Sequence, residues 1–177
     1  MENKNTSVFY NGLVWGVILG LVGIIYNVIL YMVDMNLNQT MSYLGFIITI
    51  VVLIIAVRSF RDNVRDGVLP FGPAFSFGFV VILISSVIGI IYAYILWTVI
   101  DPDIIGKMKD MQMEKMLEQG LPEEGLDQAM NISGKLMTPL MMVIFGFLSA
   151  VFIGTIIALI IAAIFKRDEP KEQVAAE

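Results

Sequence analysis

Hydrophobic and polar positions fall along this chain in long blocks rather than at a helical or strand period. Four blocks, Val8–Val33, Met41–Val57, Ala74–Ile100 and Leu136–Phe165, contain no Asp, Glu, Lys or Arg. About 20 apolar helical residues cross the hydrocarbon core of a bilayer, and a charge at its centre costs at least about 2.5 kcal/mol. The pattern therefore predicts four transmembrane helices. Packed instead inside a water-soluble protein, four consecutive runs of this length would leave almost no polar surface. The fold class that follows is all-α, an integral membrane four-helix bundle forming a single membrane domain over residues 1–177.

The blocks resemble one another in pairs. At an offset of 66 positions, Phe9, Gly12, Val14, Gly23, Ile24, Ile25, Tyr26, Ile29, Leu30 and Val33 recur as Phe75, Gly78, Val80, Gly89, Ile90, Ile91, Tyr92, Ile95, Leu96 and Val99. Chance matches among apolar helices favour Ile and Leu; they do not readily align three glycines, a tyrosine and a phenylalanine. The second and fourth blocks match at an offset of 106, "FIITIVVLIIAVRSFRD" against "FIGTIIALIIAAIFKRD". The simplest reading is a duplicated helical hairpin, with repeat 1 at about 8–66 and repeat 2 at about 74–168. Two-span units keep one orientation, so the halves would be parallel repeats related by an axis along the membrane normal. The difference in offsets is an insertion at about 101–136. Residues 169–177 read as a disordered tail.

Charge sets the expected orientation. The loop "DMNLNQT" has no Lys or Arg, whereas "RSFRDNVRDG" holds Arg58, Arg61 and Arg65, and "KRDEPKEQ" holds Lys166, Arg167 and Lys171. Short basic loops stay in the cytoplasm. Both termini and the Arg loop are therefore expected on the cytoplasmic side of a bacterial inner membrane and the acidic insertion outside, with Tyr31 and Trp97 at the outer interface. "MENKNTS" has one lysine, the apolar run after it is too long for a signal peptide's, and no small-residue cleavage site follows, so the first span is not expected to be a signal peptide.

Composition narrows the chemistry. The chain has 177 residues, 58% of them hydrophobic, and neither cysteine nor histidine. Disulfides, thiol nucleophiles, histidine bases and Cys/His metal sites are excluded. The remaining carboxylates, amines, guanidiniums and hydroxyls form no metal or nucleophile constellation. No catalytic residue, metal or cofactor is assigned, and the chain is not expected to be an enzyme. The net charge of −5 gathers mainly in one loop, and no basic, aromatic-interleaved face points to nucleic acid.

Small residues point to helix packing. Gly12, Gly16 and Gly20 recur every fourth residue in the first span, as do Gly146, Ala150, Gly154 and Ala158 in the fourth, and Ser85, Gly89 and Ala93 in the third. Such spacing puts them on one helix face, where backbones approach closely in lipid. Packing within the chain is the first expectation, a homo-oligomer or a membrane-protein partner the second. Asn27, about 10 Å below the outer end of its span on a helical rise, is a candidate intramembrane polar contact together with Tyr26 and Tyr92.

The Arg loop should continue the second span as a helix ended by Gly67, with an Arg58–Asp62 pair at i,i+4. Arg58, Arg61, Arg65 and Arg167 are candidate contacts for headgroups or an acidic partner. In the insertion, Asp101 and Pro102 read as the start of an amphipathic helical hairpin on the outer surface. Its apolar stripe is Ile104, Ile105, Met108 and Met111, and its second helix runs through Leu126 and Met130. Met113 lies off the face of Met108, so the methionines read as helix formers rather than a copper site.

Three stretches, "RDGVLPFGPAFSFG", "YAYILWTVIDPD" and "LIIAAIFKRDEP", resemble a bacterial four-span inner-membrane family designated domain of unknown function 4199. The resemblance covers the whole chain. It carries no activity or site residues, and it implies a setting beside envelope or polyprenyl-phosphate glycosyltransferase machinery. The expected function is a non-enzymatic structural or accessory subunit whose partners are membrane lipids and other membrane helices. The alternative is a small transporter or lipid-binding membrane protein.

Overall fold

The computed structural model describes residues 7–120, 122, 125, 131, 134 and 136–168. Among them the regular elements are all helical: α1 (Val8–Met32), α2 (Gln39–Val64), α3 (Phe71–Ile95), a π-helical turn (Leu96–Ile100), α4 (Ile104–Glu118) and α5 (Pro139–Phe165). α1, α2, α3 with its π-helical turn, and α5 are each long and apolar enough to cross a membrane, so this is a multi-pass membrane protein. The tail at 169–177 and the second insertion helix expected through Leu126 and Met130 lie outside the described residues.

Each end of a helix has a local cause. Ser7 caps α1 through the Tyr10 amide, and Asn38 caps α2 by accepting from the amides of Thr40 and Met41. Such side-chain oxygens satisfy amides that the first helical turn leaves without partners. α2 runs past its apolar block to Val64, where the Arg65 amide reaches back to the Phe60 carbonyl. Asp66 and Gly67 then take positive φ, 50° and 83°, and Pro70 precedes α3. α4 starts at Ile104 with Asp103 at its N-cap position, not at the expected Asp101–Pro102. Asp101 instead accepts from the Lys107 ammonium at 3.2 Å, and Asp103 makes no side-chain cap hydrogen bond.

Chain contacts divide the protein into two compact units. The larger comprises Met1–Ser86 and Ala150–Glu177. There the long helices pack as a bundle around Leu19, Leu53, Ala56, Val57, Phe60, Leu69, Ala74, Phe77, Val81, Ile82, Ile161 and Ala162. Phe60 and Phe77 stack with centroids 4.3 Å apart and planes within 1°, joining α2 to α3. Leu69 and Arg167 exchange both backbone hydrogen bonds at 2.8 Å. This antiparallel bridge ties the α2–α3 loop to the chain leaving α5, and it buries Leu69 completely.

The smaller unit is Val87–Ser149. Among its described residues, Leu96, Ile104 and Ile105 are the buried side chains, and Met108, Met111, Met113 and Met116 are half-buried along α4. No more than 28% of any span's apolar window is buried inside the chain. Most outward side chains, Phe9 and Phe152 among them, are thus left for lipid or for other helices.

Candidate functional site

Two features of the larger unit gather the residues singled out from the sequence: a glycine seam inside the bundle and a cationic end beneath it. The seam comes first from Gly12 and Gly16, both buried on α1. A methyl group added at Gly12 would lie 2.7 Å from Val80 Cγ1, and one at Gly16 2.6 Å from Ile84 Cβ and 3.0 Å from the Val81 carbonyl. The contact order rises on both helices, so α1 and α3 run parallel. On the other side of α3, Gly78 faces Ala158 at 3.2 Å and Gly154 faces Ile82, so α5 runs antiparallel to α3 there. Gly20, Ala158 and Ala162 are buried too.

Other small residues sit elsewhere. In the smaller unit, Gly89 would meet nothing within 4 Å, and Gly146 would meet Ile90 Cδ1 at 3.4 Å. Ala150 is exposed, as is Gly23, whose added methyl would also meet nothing. Gly78 was not singled out from the sequence for packing, although it aligns with Gly12 at the offset of 66 positions. That sequence match was the signal that could have found it.

Intramembrane polar groups take different places. Tyr26 donates its hydroxyl to the Met41 carbonyl at 2.7 Å, and its ring edge packs 3.0 Å from a methyl placed on Gly45. It thereby clips the C-terminal end of α1 to the start of α2. Asn27 Oδ1 is buried with no hydrogen-bond partner, which in a low-dielectric setting carries a desolvation cost. Tyr92 is half-buried in the smaller unit.

The cationic end is built where the apolar stretches of α2 and α5 stop. Arg61 grips Asp62 through Nε at 2.6 Å and Nη2 at 3.1 Å, and its Nη1 donates to the Phe165 carbonyl at 3.3 Å. The last carbonyls of a helix lack internal partners and carry the negative end of its dipole, so a guanidinium there is favourable. This corrects the expected Arg58–Asp62 pair: Arg61, anchored on α5, holds the carboxylate in a fork that matches guanidinium geometry. Arg58 instead places its guanidinium 5.9 Å from the Phe165 ring centroid, and Arg65 lies 5.5 Å over Phe60. Arg167 is fixed through its backbone by the bridge to Leu69, with its side chain exposed. Among the described residues, no group of three or more metal-binding side chains occurs.

The family model described as "Protein of unknown function (DUF4199)" matches residues 14–167. The chain belongs to the DUF4199 family. The matched region enters within α1 and ends at Arg167, so it takes in Gly16, the Phe60–Phe77 stack and the whole bridged end. No curated protein and no solved structure matches this DUF4199 chain.

Proposed function

We propose that this DUF4199 protein is a non-enzymatic accessory subunit of the bacterial inner membrane, working through helix–helix and outer-loop contacts with a membrane-protein partner. The observation that carries this reading is how the polar groups inside the spans are used. Thr49, Ser85 and Thr155 donate to the Gly45, Ile82 and Val151 carbonyls of their own helices, and Tyr26 donates to Met41. Side chains that chemistry would need are engaged in holding backbones. The internal seam makes a self-packed frame, while Gly23, Gly89 and Ala150 leave small-residue positions open for other helices. The family resemblance adds a setting beside envelope or polyprenyl-phosphate glycosyltransferase machinery.

The frame in this proposal is a duplicated hairpin. Gly12 lies against Phe77 and Val80, which bracket its repeat mate Gly78, and Gly16 lies against Val81 and Ile84, which bracket position 82. Equal heights on parallel α1 and α3 are what an axis along the membrane normal requires. Thr49 and Thr155, also mates, both bond the carbonyl four residues back. Ala56 and its mate Ala162 are both fully buried. In this proposal α4 is an amphipathic helix added to the second repeat on the outer side, and the Arg-rich end faces the cytoplasm.

Purification in mild detergent tests the reading. A stoichiometric membrane-protein partner is expected, together with no substrate-dependent change in stability of the isolated chain. Solute uptake by vesicles holding only this protein would replace the accessory role with the transporter alternative.

A further inference from the structure

We propose that Arg58 and Arg167, assisted by Lys166, bind the phosphate of an anionic phospholipid headgroup where the bundle leaves the membrane. The cations at this end divide their labour. Arg61 is consumed by the structure, forked onto Asp62 and bonded to the Phe165 carbonyl. Arg58 and Arg167 lie within electrostatic reach of the same carboxylate. Among the described residues, neither guanidinium forms a hydrogen bond or an ion pair, and both are exposed, as is Lys166. Counting the described residues of this end, Arg58, Arg61, Arg65, Lys166 and Arg167 stand against Asp62, Asp66 and Asp168, a surplus of two positive charges. Asp62 is shared among several arginines and cannot neutralise them all.

The placement selects a lipid as the source of the phosphate. Arg58 is the first charged residue after the apolar run that ends at Val57, and Lys166 is the first after Phe165. The Leu69–Arg167 bridge, with both bonds at 2.8 Å, fixes the Arg167 backbone at this level. Toward the membrane, Ile55 three residues before Arg58 and Ile164 three residues before Arg167 are 51% and 68% exposed. An acyl chain can lie along these isoleucines while its phosphate meets guanidinium forks, whose planar donors match phosphate oxygens. A soluble phosphate uses only the second half of this arrangement. The Phe165 ring beneath Arg58 favours a guanidinium that is already oriented, which lowers the entropy lost on binding.

The test titrates the purified full-length chain in neutral detergent with phosphatidylglycerol, phosphatidylcholine or inorganic phosphate, reading thermal unfolding and bound lipid by native mass spectrometry. Phosphatidylglycerol should bind and stabilise more than phosphatidylcholine, and inorganic phosphate at the same concentration should do neither. The Arg58→Gln/Arg167→Gln variant should bind phosphatidylglycerol about 10- to 30-fold more weakly, the loss expected for two basic side chains at a membrane surface, with unchanged melting in phosphatidylcholine. Asp62→Asn should bind it more tightly, an increase that a purely structural role for the cluster would not give. The unaltered chain supplies a reading that needs no variant: affinity must fall as ionic strength rises from about 0.1 M to about 1 M, which shortens the screening length from about 10 Å to about 3 Å. Undiminished phosphatidylglycerol affinity in the double variant, or affinity indifferent to salt, would overturn the proposal. So would equal stabilisation by inorganic phosphate, which would assign the site to a soluble anion.

Discussion

Gly16 offers the sharpest test of the packing. Its Cα lies where any side chain would meet Ile84 Cβ at 2.6 Å, Ile84 Cγ2 at 2.9 Å and the Val81 carbonyl at 3.0 Å. Two of these are fixed to the α3 backbone and cannot swing away, so Gly16→Ala must push α1 and α3 apart. Overpacking of this kind costs about 1–3 kcal/mol. The substitution also gains up to about 1 kcal/mol of helix propensity, so its raw effect understates the strain. Gly23→Ala is the matched reference: same helix, same propensity gain, and nothing within 4 Å of the new methyl. The difference between the two variants isolates the packing term. It corresponds to a gap in Tm between about 2 and 12 °C for a chain of this size, measurable by intrinsic fluorescence during thermal unfolding in detergent. Gly154→Ala, aimed at Ile82, should fall with Gly16→Ala. Gly78→Ala, at 3.2 Å from Ala158 Cβ, should cost less and be relieved by Ala158→Gly. If Gly16→Ala melted with Gly23→Ala or above it, the parallel α1–α3 contact would be wrong.

Arg61→Gln should lower stability by about 1 kcal/mol through loss of its charge-assisted bonds to Asp62 and the α5 carbonyl, while Arg58→Gln should leave thermal unfolding in neutral detergent unchanged. Asp66→Gly should raise stability by about 0.5–1 kcal/mol, because Asp66 sits at φ 50°, a region that strains residues with a Cβ; thermal unfolding reads this as an upward shift. The chain has no cysteine, so single cysteines report topology without background. Asn38→Cys should react with an impermeant maleimide added outside intact cells and Asn63→Cys should not; the reverse pattern would invert the orientation.

The spans were legible because lipid leaves few solutions: an uncharged run of sufficient length must be helical to satisfy its own backbone. Gly12, Gly16, Gly154 and Ala158 stood out in the sequence for a related reason, since close backbone approach in lipid needs small residues at every fourth position. Their partners were not. Glycine spacing states that a face is flat, and only the tertiary arrangement decides that Gly12 and Gly16 meet Val80 and Ile84 while Gly89 meets open space. The cationic end was half legible. Its arginines stood out, but i,i+4 geometry on one helix could not anticipate that the end of a distant helix would capture Arg61. Nor could local pattern reveal that Leu69 pairs with Arg167 across the bundle. The π-helical turn at Leu96–Ile100 and the start of α4 at Ile104 depend on backbone details that apolar periodicity does not encode.

The accessory role is tested most directly by photo-crosslinking from single positions in native membranes, followed by identification of whatever is joined. Gly23 and Ala150 are exposed, a side chain added at Gly89 meets nothing within 4 Å, and probes at Leu19 and Ala162 sit in the packed interior. One recurrent membrane protein should be captured from the open positions and only the chain's own helices from the interior ones. Capture of lipid alone from all three open positions, with no protein at any of them, would contradict the account.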